Sequence, residues 1–299
     1  MKKLLNIDGG GIKVYFALLI LKYIETKTQK KITEIFDFYA GVSASSIILS
    51  GILTNHSLDY IIDKLKLVGN NIFYKSKYYS IISLFGLINS KYPDIHVNKE
   101  FEFIFKDNKL KDIDKPYIIL CYDLVSQNPI YYASYDDSLN DELLWKIIRS
   151  STAAPILFPP YKLNDKILID GGIVNNDLSE LIYTKALNYY ENEEFIQLSI
   201  GTGIYKPKLT PMPLGLLSWN KTILETIFYA HSKYEYNTMK DLSKINNLKH
   251  FFRINILLDK YISLDDFNAF NEMDLIFDEW ISNKDNINYL DEICNILIN

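Results

Sequence analysis

The sequence predicts a single α/β domain whose largely parallel central sheet is flanked by helices and followed by a helical C-terminal region. Three observations carry this. Short apolar runs with strand character alternate with longer helix-like stretches, the pattern of a parallel sheet covered on both faces. Glycine turns end such runs after Ile7, Ile169 and Ile200, and a further run ends at Gly41. The chain of 299 residues is 48% hydrophobic, enough for a sizeable core. No repeat, low-complexity tract or Gly/Ser/Pro-rich linker divides it.

Taken in order, Lys3–Ile7 reads as a strand. Tyr15–Thr26 reads as a helix with Phe16, Leu19, Ile20 and Tyr23 on one face. Phe36–Ala40 reads as a short apolar strand and Ala44–Leu53 as a helix of small and aliphatic residues. Ser57 is placed to cap a helix running through Leu67. Tyr117–Val125 and Ile130–Ala133 read as strands about a turn at Gln127-Asn128-Pro129. Asp141–Ser151 has helical character, Lys166–Ile169 strand character, Leu178–Tyr190 helical character and Phe195–Ile200 strand character. Trp219–Ile245 reads as a long helix, Phe251–Ile256 as a strand, and the tail from Leu264 as mostly helical. Residues 1–203 are expected to form the core, and 204–299 an extension packed on the same domain.

Composition excludes several functions. The net charge is −5 and no basic stripe stands out, so nucleic acid is not an expected partner. Cys121 and Cys294 are the only cysteines; they form no disulfide framework and no zinc-ligand spacing, and Cys121 reads as a buried thiol. Lys2 and Lys3 precede an apolar run that stops at Asp8, too short for a signal-peptide core. No window offers the ~18 apolar residues of a membrane span. A soluble, cytoplasmic protein is expected.

Three sites carry chemistry. Asp8-Gly9-Gly10-Gly11-Ile12-Lys13 follows a strand and precedes a helix. Glycines there leave backbone N–H groups open to an approaching anion, with the helix dipole behind them. That anion is either a bound phosphate or an oxyanion formed during a reaction; the G-x-x-x-x-G-K-[ST] phosphate-loop spacing is absent. Gly41-Val42-Ser43-Ala44-Ser45 likewise joins a strand to a helix, the setting of a nucleophile elbow. Ser43 reads either as a nucleophile or as a helix cap. Ser45 stands where the usual elbow has Gly, and strain would follow if that position required a positive φ. Ser46 and Ser50 read as surface or packing positions. Asp170 ends a strand and is freed by Gly171-Gly172; it reads as a site residue or as a turn aspartate. His56, His96, His231 and His250 are the only histidines, and none sits in a glycine turn after a strand. A Ser–Asp pair without histidine works if burial raises the carboxylate's pKa from near ~4.

In order and spacing these segments resemble the patatin-like phospholipases. Asp8–Lys13 is similar to the family's glycine-rich oxyanion loop, Gly41–Ser45 to its elbow, and Ser151-Thr152-Ala153-Ala154-Pro155 with Phe158-Pro159 to its Ala-Ala-Pro segment. Asp170-Gly171-Gly172, with Asn176, is similar to its catalytic aspartate motif, and Ser199-Ile200-Gly201-Thr202-Gly203 also resembles a family segment. The resemblance implies lipid acyl hydrolase activity without a metal or cofactor, with Ser43 as nucleophile, Asp170 as base, and Gly9, Gly10 and Gly11 as oxyanion donors. Lys13 replaces the family's Arg, Val14 a Gly, and Ser45 the elbow Gly.

A lipase must meet a lipid surface, so a phospholipid or other acyl-ester lipid and a peripheral membrane contact are the expected partners. Ser80–Ile88 and Leu209–Trp219 are apolar and partly loop-like; one or both are expected to flank an acyl groove and touch the bilayer, with plain core packing as the alternative. Two alternatives stay open: a catalytically weak or inactive lipid-binding protein on the same fold, and an α/β-hydrolase with His231 or His250 as base.

Overall fold

The computed structural model describes residues 1–83, 88–206, 216–244 and 247–298, with the side chains of 70, 81 and 216–225 outside that description. Its first half runs β1 (Lys2–Ile7), α1 (Val14–Thr28), α2 (Ile32–Ile35), β2 (Phe38–Val42), α3 (Ala44–Leu53), α4 (Leu58–Ile72), α5 (Lys77–Ile82) and α6 (Ile95–Phe105). The antiparallel part follows: β3 (Tyr117–Asp123), β4 (Asn128–Ala133), α7 (Leu144–Ser151), β5 (Tyr161–Leu163) and β6 (Lys166–Asp170). The chain then returns through α8 (Ser179–Tyr189), β7 (Phe195–Ile200), β8 (Ile204–Tyr205), α9 (Leu216–Leu242), β9 (Leu248–Ile254), β10 (Leu257–Leu258), α10 (Phe270–Ser282) and α11 (Lys284–Ile298).

The main sheet has the order β5-β6-β3-β2-β1-β7-β9, with β4 on β3. From β3 through β9 every pairing is parallel; β4, β6 and β5 add antiparallel strands at one end. This is the mixed α/β, mostly parallel sheet the sequence predicts, and β9 of the C-terminal region is one of its strands. Side chains of the central strands are buried on both faces, which is why these strands read as unbroken apolar runs. Leu5, Ile7 and Tyr39 face a cluster with Phe16 and Leu18 of α1, Met273 of α10 and Leu290 of α11. Leu4, Phe38, Ala40 and Val42 face the other, with Ile182 and Tyr183 of α8 and Met239 of α9. Cys121 and Cys294 are buried free thiols. Ser57 caps α4, its side chain accepting from the Tyr60 N–H.

Several boundaries differ from expectation. The turn after β3 spans residues 124–127, and Asn128 and Pro129 belong to β4. Proline fits there because β4 pairs only with β3 and its outer edge needs no donor. β2 begins at Phe38 and not Phe36, because Phe36 still closes α2, its N–H bonding the Ile32 carbonyl. His250 lies inside β9 and His96 inside α6. The strand expected at Phe251–Ile256 starts earlier, at Leu248.

One pairing positions the site. β4 occupies one edge of β3 over Ile118–Asp123. β2 pairs with Tyr117–Leu120 and β6 with Cys121–Asp123, so these two must share the remaining edge end to end. β2 is parallel to β3 and β6 antiparallel, so their carboxyl ends point at each other: Val42 sits opposite Leu120 and Asp170 opposite Cys121. Gly171 turns the chain away at this junction. A Cβ there would lie 2.4 Å from the Leu120 carbonyl oxygen, a backbone atom of the central sheet. Gly171→Ala is therefore expected to lower stability by about 1–3 kcal/mol, read as a lower urea midpoint at unchanged m-value.

Candidate active site

Ser43 has φ 56° and ψ −135°, a left-handed value that side chains rarely adopt. Its backbone is held on both sides. The Ser43 N–H donates to Ser151 Oγ at 2.9 Å, and that hydroxyl donates to the Leu120 carbonyl at 2.7 Å. The Ser43 carbonyl accepts from the Ser46 N–H at 3.0 Å and the Ser46 hydroxyl at 2.6 Å. Ser43 occupies the N-cap of α3, yet its side chain makes no capping bond. The hydroxyl instead stands beside the Asp170 carboxyl, whose pKa it lowers.

Ser45 does not carry the strain expected of it. It lies in the first turn of α3 and is absent from the left-handed residues. Its buried hydroxyl accepts from the Val42 N–H at 2.9 Å and faces the Ile7 and Val42 carbonyls, each at 2.8 Å. It thus joins the ends of β1 and β2, a bond glycine could not make. Val14 likewise sits at φ −55°, ψ −14°, ordinary for any residue. Ser46 and Ser50 are buried, Ser50 beside the Tyr117 hydroxyl at 3.3 Å.

Asp170 is almost fully buried. Burial pushes its pKa up to about 6, against the lowering effect of hydrogen bonds from Ser43 and the Gly172 N–H. The Gly172 bond, at 2.8 Å, closes the turn that follows β6. The Asp170 N–H donates to the Ala153 carbonyl at 3.1 Å, which fastens the Ala-Ala-Pro segment beside the carboxyl.

The glycine loop packs directly on Ser43. A Cβ on Gly9 would stand 3.1 Å from Ser43 Cβ and 2.5 Å from Asn176 Oδ1. Gly11 has φ +56°, and a Cβ there would meet the Leu264 carbonyl oxygen at 2.2 Å. The Gly9 peptide is fully engaged: its N–H donates to the Asn176 carbonyl at 3.3 Å, and its carbonyl accepts from Asn176 Nδ2 and Thr202 Oγ1, both at 2.9 Å. Gly10 and Gly11 have no acceptor for their N–H groups among the described residues, and both line the cavity that holds Ser43.

That cavity has a volume of about 580 Å³ and is predominantly apolar, walled by residues such as Ile47, Ile61, Val68, Phe101, Leu157 and Phe158. Ser43, Asp170, Gly10 and Gly11 stand together on its lining. His56 also lines it, stacked on Tyr60, and its pKa is lowered by burial. His231 and His250 do not line it. Of the segments expected to flank a groove, residues 84–87 and 209–215 lie outside the described residues. The described part of 80–88 contributes nothing to the cavity wall.

Below the loop, Asp8 pairs with Arg253 of β9 and Asp177 joins them. Burial pushes Asp8 up to about 7, opposed by Arg253 and reinforced by Asp177. Burial and Asp177 also push Glu235 up to about 7. Sequence reasoning missed Arg253, Ser151 and Thr202 as site neighbours. Ser151 and Thr202 lie inside segments it singled out, whereas nothing near Arg253 signals its partner at Asp8. Among the described residues no group of His, Cys, Asp and Glu is arranged to hold a metal, and no helix is long and apolar enough to cross a membrane.

A patatin-like phospholipase profile matches residues 5–182. An intracellular phospholipase A2 of Caenorhabditis elegans is 23% identical over 98% of this chain and 29% of its own length. An 85/88 kDa calcium-independent phospholipase A2 of Mus musculus is 25% identical over 68% of this chain and 26% of its own. A probable inactive patatin-like protein 9 of Arabidopsis thaliana is 25% identical over 67% of this chain and 60% of its own. The chain thus spans between about a quarter and three fifths of the length of these relatives. The crystal structure of VipD from Legionella pneumophila superposes with a TM-score of 0.45 at 12% identity, over 93% of this chain and 67% of that one. With the matched segment covering more than half of the residues, the chain belongs to the patatin-like phospholipase family.

Proposed function

We propose that this protein is a lipid acyl hydrolase, a phospholipase A-type esterase working through a Ser–Asp dyad. One observation carries the reading: a strained serine, free of capping duty, meets a buried carboxyl at the wall of an apolar cavity. Ser43 Oγ attacks the ester carbonyl carbon while its proton passes to Asp170. The resulting oxyanion takes hydrogen bonds from the Gly10 and Gly11 N–H groups, donors of a kind worth about 3–4 kcal/mol each. Collapse expels the alcohol, which recovers the proton, and leaves an acyl-serine. Asp170 then deprotonates a water that releases the fatty acid. Gly9 serves this loop by close packing and not as a donor, since its N–H is occupied. The cavity falls in the ~300–1,000 Å³ range of ligand sites and would hold the acyl chain.

The cavity mouth supplies a membrane contact. Ile156 and Ile173 line it and remain 61% and 56% exposed. Ile156 holds φ 73°, an outlier for a β-branched residue. Exposed apolar side chains around an apolar opening suit a lipid surface, with an acyl-ester lipid entering from it. The alternative, a lipid-binding protein without catalysis, draws on the inactive designation of one relative. A fluorophosphonate probe separates the two: labelling at Ser43 belongs to the enzyme, and an unreactive Ser43 to the binder.

Ser43→Ala is expected to reduce release of fatty acid from phospholipid or p-nitrophenyl ester by at least about 10³-fold; undiminished turnover would sink the mechanism. Because Asp170 must be ionised to act as base, kcat/KM should rise with pH and level off above about 6. The same shift sets stability. The folded state holds the Asp170 proton more tightly than the unfolded chain, so this contribution is full below pH ~4 and lost as pH rises through about 6. Asp170→Asn should therefore be inactive yet more stable than wild type at pH 7.5, by about 1–3 kcal/mol, the difference vanishing in acid. Thermal melts across pH check the sign. The double change Ile156→Asn, Ile173→Ser should weaken binding to phosphatidylcholine vesicles by about tenfold, measured by co-sedimentation; unaltered binding removes this face from the membrane contact.

A further inference from the structure

We propose that Arg253 is a positioning residue for the oxyanion loop: it grips Asp8 and Asp177 together, so that β9, outside the segment the family profile matches, completes the active site. The inference rests on the dyad reading above.

Three neighbouring strands build the clamp. Register sets Asn6 of β1 beside Ser199 of β7, and Ser199 beside Arg253 of β9. Their neighbours Leu5, Leu198 and Phe252 point into the opposite, apolar cluster, so this polar row faces α8 and α9. The guanidinium is 5% exposed and forms a parallel fork on Asp8, Nη1 to Oδ1 at 2.7 Å and Nη2 to Oδ2 at 2.5 Å. Nη2 also reaches Asp177 Oδ2 at 3.1 Å, and Nη1 donates to Ser199 Oγ at 2.6 Å. Arginine suits this position because two acceptors in one plane match its fork.

Location separates positioning from mere stabilisation. A buried ion cluster is weak grounds for stability, since apolar replacements often serve as well. Here, however, Asp8 directly precedes Gly9, and Asp177 directly follows Asn176. Those two neighbours bind each other through the Gly9 N–H and the Asn176 side chain. The loop bearing the free N–H groups and the loop following Asp170 thus leave the sheet at one guanidinium. Displacement of a catalytic group by about 1 Å costs on the order of 100-fold in rate, and nothing else described ties both loop bases to one cation.

The test uses the full chain, with turnover of a p-nitrophenyl ester, inhibition by a long-chain trifluoromethyl ketone and affinity for the free fatty acid. The ketone becomes a tetrahedral adduct that needs the oxyanion donors; the fatty acid reports the cavity alone. Arg253→Gln is expected to lose about 100-fold in kcat and a similar factor in ketone affinity, with KM and fatty-acid affinity within about threefold. Arg253→Lys keeps the charge without the fork and should fall between wild type and Arg253→Gln; it carries the test if Arg253→Gln does not fold. Adding Asp8→Asn to Arg253→Gln should cost little more, since both break one clamp. Wild-type kcat in the folded Arg253 variants overturns the inference, as does a loss spread equally over turnover, ketone and fatty acid. With Ser43→Ala inert in the same assay, either outcome leaves the dyad standing. A wild-type chain without esterase turnover overturns both.

Discussion

Strand β3 has two edges and three neighbours, and the site depends on how they share. With β4 along one edge, β2 and β6 are forced end to end on the other. Because they run in opposite senses, both present carboxyl termini to the junction. Ser43 leaves the sheet there from one side and Asp170 arrives from the other. Were β6 parallel, its amino end would lie at this point and no aspartate following the strand could reach Ser43. The junction interrupts the sheet's hydrogen bonding, and Ser151 occupies the gap: it accepts from Ser43 and donates to Leu120. The left-handed backbone of Ser43, of a kind costing ~1–3 kcal/mol, is thus held by bonds on both its N–H and its carbonyl.

The two faces of the sheet do different work around this junction. One is apolar and opens into the cavity, and the desolvation there also raises the Asp170 pKa. The other carries a buried polar row in which Asp8, Asp177 and Glu235 surround Arg253. Burial alone would neutralise such carboxyls, and the guanidinium is what opposes that for Asp8. Glu235 is further engaged by Asn175 and the Glu180 N–H. The glycine loop therefore rests on charge from below while it presents N–H groups above.

Much of this was legible because glycine and small residues mark places where backbones must approach. Gly9 against Ser43, Gly11 against Leu264 and Gly171 against Leu120 are all such contacts, and each glycine stands out in the sequence. Less visible was α6. Its buried residues Val97, Phe101 and Phe105 recur at helical spacing, but the polar entry Pro93-Asp94 and the charges between them mask that period. Ser45 misled in the opposite direction. Its substitution for glycine suggested strain, whereas the positive φ belongs to Ser43, and Ser45 contributes a hydroxyl that binds two strand ends.

By itself the sequence determined the alternation of strands and helices and the glycine turns at strand ends, and it offered Ser43 and Asp170 as candidates at two of those ends. These are local properties: period, backbone freedom and residue type are written in neighbouring positions. Only the tertiary structure decided which strand ends meet, that Gly9 spends its N–H on Asn176 while Gly10 and Gly11 keep theirs, and that Arg253 stands under Asp8. Those depend on pairing and register between segments far apart in the chain, and no short-range pattern encodes register.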